Sequence, residues 1–114
     1  MNTMTNNIST VSDKLRAGEL INDPHKCAEY HAILAGEYSW IMGQLEEILS
    51  RKPTMWNRLR SDVDSDKSAE RLYEATTEGI NEMGLKLRAK GIEKMMSALK
   101  SIMRNAENES RNLH

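Results

Sequence analysis

Apolar residues recur three and four positions apart along most of the chain, the spacing that gathers them on one face of an α-helix. From Pro24 the series Cys27, Tyr30, Leu34, Tyr38, Ile41, Leu45 and Ile48 makes a narrow stripe close to a coiled-coil seam. A longer series runs through Leu72, Thr76, Ile80, Met83, Leu87, Gly91, Met95, Leu99, Ile102 and Ala106. Two long helices are therefore predicted, and the punctuation between them sets their ends.

Asp23-Pro24 starts the first long helix. The carboxylate can accept backbone N–H bonds, and proline suits a first helical position, where no donor is needed. Pro53 is expected to stop it. Before it, Ser12 can cap a short helix over about Asp13 to Leu20, which Asn22 and Asp23 end. After it, Thr54 can cap a short helix carrying Met55, Trp56, Leu59 and Val63. Ser61 to Ser65, with Asp62 and Asp64, reads as a turn. Ser65 or Ser68 then opens the last helix, and nothing forces a stop before the polar residues from Asn105 onward. Gly79, Gly84 and Gly91 lie inside it at about 1 kcal/mol each, and each is a candidate kink.

If continuous, that last helix is about 40 residues and roughly 60 Å long. The earlier helix cannot cover it. Its apolar stripe must then meet another chain, or the helix must bend back, and self-association is the preferred expectation. Ile80, Met83, Leu87, Met95, Leu99 and Ile102 are the expected oligomerisation residues. The fold class is all-α: a helical hairpin or bundle with one long C-terminal helix, oligomerising through coiled-coil-like seams. Residues 1–11 read as a flexible N-terminal tail and 12–114 as a single helical domain.

Composition agrees. Only 39% of the 114 residues are hydrophobic, Phe is absent, and helix formers outnumber β-branched and aromatic residues. No run of about 18 apolar residues exists to span a membrane, and the polar N-terminus lacks a secretory signal. The single cysteine, Cys27, excludes an internal disulfide and suits a reducing compartment, so the cytoplasm is the expected location.

A net charge of −1 gives no global reason to bind nucleic acid, but the charge is unevenly placed. Arg51, Lys52, Arg58 and Arg60 occur without an acid among them. Acids dominate from Asp62 to Glu82, and cations from Lys86 to Arg104. That gradient along the last helix is what its macrodipole favours, with or without a ligand. The Arg51–Arg60 cluster also flanks Trp56, and cations beside an aromatic ring suit sequence-independent binding of single strands. Trp56 reads first as the anchor of its own helix and second as a surface on which a base can stack.

Cys27 and His31 lie four apart on one helical face, but no second ligand pair follows, so no metal or other cofactor is expected. Cys27 reads as a small buried hydrophobe. No phosphate loop, nucleophile elbow or HExxH motif is present, and the carboxylates read as solvated helix faces, so the chain is not expected to be an enzyme.

Trp56-Asn57-Arg58-Leu59-Arg60, a polar turn, and then Gly91-Ile92 through Ser97-Ala98-Leu99-Lys100-Ser101 resemble phage recombination mediators of the UvsY type. The resemblance covers Tyr38 to Arg104. It implies a homo-oligomer that binds single-stranded DNA and helps load a RecA-like recombinase onto strands covered by a single-strand-binding protein. Arg58 would be a phosphate contact, helped by Arg60 or Lys52. The chain departs from that family in carrying Trp56 where a basic residue stands, in being shorter, and in its heavy acidic stretch after Asp62. From the residues themselves the alternative is a protein-interaction module, such as a phage inhibitor, adaptor or assembly chaperone, with no nucleic-acid binding.

Overall fold

Asp23 begins the long helix as its chemistry requires: its Oδ1 accepts from the Lys26 backbone N–H at 3.0 Å, and its carbonyl accepts from Cys27 N–H. The computed structural model describes the backbone of residues 2–112 and the side chains of residues 8–111. Four helices occur among them: α1 (Asn2–Arg16), α2 (Pro24–Ser61), α3 (Asp66–Ala75) and α4 (Thr77–Asn112). The fold is an all-α bundle whose long C-terminal helix packs against the others.

Four boundaries differ from the sequence expectation. The region read as a flexible tail over residues 1–11 is helical from Asn2. Ile8, Val11 and Leu15 share a face there, and Val11 is fully buried. The helix ends at Arg16 instead of near Leu20. Gly18 adopts φ +72, and the Gly18 N–H to Leu15 carbonyl and Glu19 N–H to Lys14 carbonyl bonds close a glycine C-cap.

Pro53 does not stop α2, which continues to Ser61 and absorbs the short helix expected after Thr54. Proline inside a helix costs about 3 kcal/mol, because its missing N–H frees one carbonyl and its ring crowds another turn. Pro53 and Leu49 are both exposed, so the freed Leu49 carbonyl can turn to water. Buried Leu45 and Ile48 before the proline, and half-buried Met55, Trp56 and Leu59 after it, hold the helix in place on both sides.

The helix expected to run unbroken from Ser65 or Ser68 is divided at Thr76, between α3 and α4. Ser65 does cap α3, accepting from Ser68 N–H at 3.2 Å. Thr76 is extended (φ −73, ψ 160), and its hydroxyl serves both helices. It donates to the Tyr73 carbonyl at 2.6 Å and accepts from Gly79 N–H at 3.0 Å. The break lets the chain turn closely enough that a β-carbon on Gly79 would collide with the Tyr73 carbonyl oxygen. Of the three glycines, Gly79 has the packing reason; Gly84 and Gly91 have open space where a side chain would be.

The chain divides into two compact units. Residues 1–39 and 90–114 make the first, and 40–89 the second. In the first, Val11, Leu20, Cys27, Leu34, Ile92 and Leu99 are buried, and Tyr38 Oη donates to Glu93 Oε1 at 2.6 Å. Each fully buried leucine contributes about 2 kcal/mol. In the second, Ile41, Leu45 and Ile48 of α2 are buried with Ala69 and Tyr73 of α3 and Ala89 of α4. No helix among the described residues is long and apolar enough to cross a membrane.

Candidate functional site

Both sets of residues singled out in the sequence have members in the second unit, on opposite sides of the same problem: how α4 is held, and what it leaves uncovered. Its inner side meets the basic cluster of α2. Arg51 Nε donates to Glu78 Oε1 at 2.9 Å. Lys52 Nζ lies 3.2 Å from Glu82 Oε1 and sits over the Tyr73 ring, 4.6 Å from its centroid. Tyr73 Oη donates to the same Glu82 oxygen at 2.9 Å, and Lys86 Nζ reaches the other at 2.9 Å.

Glu82 is only 8% exposed, so the cluster is a buried carboxylate made tolerable by three donors. Burial alone would raise its pKa. The hydrogen bonds from Lys86, Tyr73 and Lys52 outweigh burial and hold the carboxyl below the ordinary glutamate value. Tyr73 responds in the opposite sense: burial first, then the bond and charge of Glu82, push its hydroxyl up to about 12. One oxygen of Glu78, Oε2, is buried without a hydrogen-bond partner.

Arg60 is also occupied. Its Nε donates to Asp66 Oδ1 at 2.7 Å and its Nη1 to the Val63 carbonyl at 2.8 Å, which pins the 62–65 turn. The basic cluster is therefore largely a set of structural ties. Arg51, Lys52 and Arg60 face carboxylates contributed by α3 and α4, all drawn from the acidic stretch that follows Asp62. Arg58 is exposed and lines a groove of ≈ 350 Å³ with Ser50, Arg51, Thr54, Met55 and Glu78. Trp56 is half-buried.

The outer side of α4 is of a different kind. Ile80, Met83 and Leu87 are 60%, 54% and 61% exposed. At 100° per residue they fall within an arc of roughly 60°, and Glu82, Leu85 and Ala89 fall within a similar arc on the opposite side. Helix α4 thus carries apolar residues on both sides over its first turns. One side is spent on the core and the other is uncovered.

The remaining expected oligomerisation residues behave differently. Leu99 is fully buried in the first unit, where it is core, and Met95 and Ile102 are half-buried. Leu72, which began the predicted stripe, is exposed while its neighbour Tyr73 is buried. Sequence reading passed over Tyr73 and placed Glu82 among solvated acids. The i, i+4 spacing of Glu82 and Lys86 was the available signal, but surface pairs share it.

The Cys27 thiol donates to the Leu20 carbonyl at 3.5 Å, and burial, then the nearby Asp23 charge, push its pKa up. Such a thiol is a poor nucleophile. His31 is half-buried, with Nε2 lacking a partner. No group of three or more His, Cys, Asp and Glu side chains capable of holding a metal occurs among the described residues. Comparison with family models, with curated proteins and with solved structures found no match for this chain.

Proposed function

We propose that the chain is a protein-interaction module, a binding protein and not an enzyme, whose working surface is the outer side of α4 at Ile80, Met83 and Leu87. The observation that carries this reading is the exposure of three large apolar side chains at i, i+3 and i+7, each more than half open, on a helix already anchored by its other side. An uncovered apolar face of that kind is the usual mark of a helix-in-helix contact. A reducing cytoplasm suits the buried free thiol of Cys27.

A photo-crosslinking residue at Ile80, tested in cells expressing the chain, is expected to give discrete adducts, and one at exposed Glu70 to give few. Leu87→Glu should suppress the Ile80 adducts by roughly tenfold or more. Equal, diffuse labelling from both positions would end this reading.

A second reading, a single-stranded-DNA-binding recombination accessory protein that helps load a RecA-like recombinase alongside a single-strand-binding protein, is favoured by one observation. Arg58 is exposed beside a groove with the Ser50 and Thr54 hydroxyls, a setting for a phosphate. With Arg51, Lys52 and Arg60 engaged by carboxylates, Arg58 would be the cluster's main phosphate contact. Arg58→Ala is expected to reduce the salt dependence of oligo-dT binding by about one phosphate contact. An unchanged slope, measured by fluorescence anisotropy, would remove Arg58 from that role.

A further inference from the structure

We propose that the solvent side of α4 from Lys90 to Arg104 binds the phosphate backbone of duplex nucleic acid. This surface shares no residue with Ile80, Met83 and Leu87 or with the Arg58 groove, so it stands or falls independently of both readings given above.

The stripe is built by helical geometry. At 100° per residue, Lys90, Lys94, Ser97, Ser101 and Arg104 fall within an arc of roughly 80°, with Lys100 at its edge. All six are exposed, and buried Ile92 and Leu99 stand on the opposite side of the helix. The stripe is therefore aimed away from the core of the first unit, and its four cations are spread over roughly 21 Å. Among the described residues no carboxylate engages any of these cations. The two acids beside them are occupied elsewhere. Glu93 accepts from Tyr38 Oη at 2.6 Å, and Glu107 accepts from Arg111 Nη2 at 2.9 Å. In the Arg51–Arg60 cluster the opposite holds, since Arg51, Lys52 and Arg60 all meet carboxylates.

The helix macrodipole does not account for the stripe. Its attraction for cations fades within the last turn, and α4 ends at Asn112. Arg104 lies about two turns before that end and Lys90 about six. Composition does not account for it either: residues 90–104 hold four cations and one acid, in a chain whose net charge is −1.

The rest of the surface selects the partner. No large apolar side chain in residues 90–111 is exposed. The stripe thus lacks the anchors that a membrane-surface helix inserts and the apolar centre of a protein interface. No Phe, Tyr or Trp follows Tyr73 in the chain, so there is no ring on which the bases of a single strand could stack. Cations interleaved with hydroxyls are the groups that hold a duplex by its phosphates alone. Duplex DNA carries one charge per about 1.7 Å of its axis, so the stripe passes about 12 phosphates. Four long side chains meet partners there without a fixed register, and binding is independent of base sequence.

Fluorescence anisotropy tests this with the full chain and a labelled DNA duplex of about 20 base pairs, longer than the stripe. Four phosphate contacts give a slope of about −3.6 in log affinity against log salt, a loss of roughly 150-fold between about 50 and 200 mM. Lys94→Gln should reduce that slope by about 0.9, and the fourfold variant K90Q/K94Q/K100Q/R104Q should abolish binding. Circular dichroism of each variant confirms that the helices remain. Leu87→Glu and Arg58→Ala should leave the slope unchanged. No binding at about 50 mM salt, or binding that survives the fourfold variant, would overturn the proposal. Tighter binding of a single strand of the same length would do the same. A slope that fell with Arg58→Ala and not with Lys94→Gln would place the contact in the α2 groove and remove it from α4. Attachment to phosphatidylserine vesicles as strong as attachment to the duplex would assign the stripe to a lipid surface and overturn the duplex reading.

Discussion

Replacing Gly79 by alanine is expected to destabilise the protein by about 3 kcal/mol, and to lower its melting temperature by roughly 15 °C. The obstacle is backbone, not a side chain that could rotate away. A β-carbon on Gly79 would overlap the Tyr73 carbonyl oxygen and stand 2.8 Å from the carbonyl carbon and 2.9 Å from Glu74 Cα. The same turn holds the Thr76 hydroxyl between Tyr73 and Gly79, so relief of the clash would break two hydrogen bonds. Gly43→Ala is the control. Gly43 is an exposed mid-helix glycine of α2 with open space around it, and alanine there should stabilise by up to about 1 kcal/mol. Equal melting temperatures for the two variants would show that the α3–α4 turn is not as tight as described.

The second large effect is expected at Glu82. Glu82→Gln keeps the shape but removes the charge on which Lys52, Lys86 and Tyr73 converge, a loss of about 2 kcal/mol at neutral pH. Lys52 and Lys86 are exposed enough to turn toward water, which keeps the penalty below that of a stranded buried charge.

The pH dependence has a definite sign. The folded carboxyl titrates below its unfolded value of about 4.3, so its contribution is complete above that value and is lost as pH falls through the lower folded one. Wild type and E82Q should therefore differ in denaturant midpoint at pH 7 and converge as pH falls below 4. A gap that stays constant down to pH 3 would mean that the carboxylate charge contributes nothing.

Much of the fold was legible before any coordinates. In the stripe that begins at Cys27, Cys27, Leu34, Ile41, Leu45 and Ile48 are buried and Tyr30 and Tyr38 half-buried, Asp23 caps the helix it was expected to cap, and the turn expected over 61–65 is found at 62–65. Helical periodicity, caps and turn chemistry are local, and a local pattern survives whatever the rest of the chain does. Gly18 could have been read in the same way, since a glycine after a basic last turn is a common helix end.

The candidate site depended on relations that no local pattern carries. Arg51, Lys52 and Arg60 looked like an unopposed basic cluster because their nearest acids in sequence were not their partners in space. Glu78 and Glu82, some 27 and 30 positions away, neutralise two of them, and Asp66 binds the third.

Helix α4 posed a similar ambiguity. Ile80, Met83 and Leu87 offered as good a stripe as Leu85, Ala89 and Ile92, and hydrophobicity at period 3.6 has no term that says which side faces the core. Tertiary packing settled it: α2 supplies the lysine and arginine that Glu78 and Glu82 need, so those acids turn inward and carry Leu85 and Ala89 with them. The sequence by itself determined that this protein is helical and where most turns fall, because those depend on neighbours a few residues apart. Only the tertiary structure decided that its basic cluster is mostly a fastening and that its uncovered surface is apolar, because both follow from which distant charges meet.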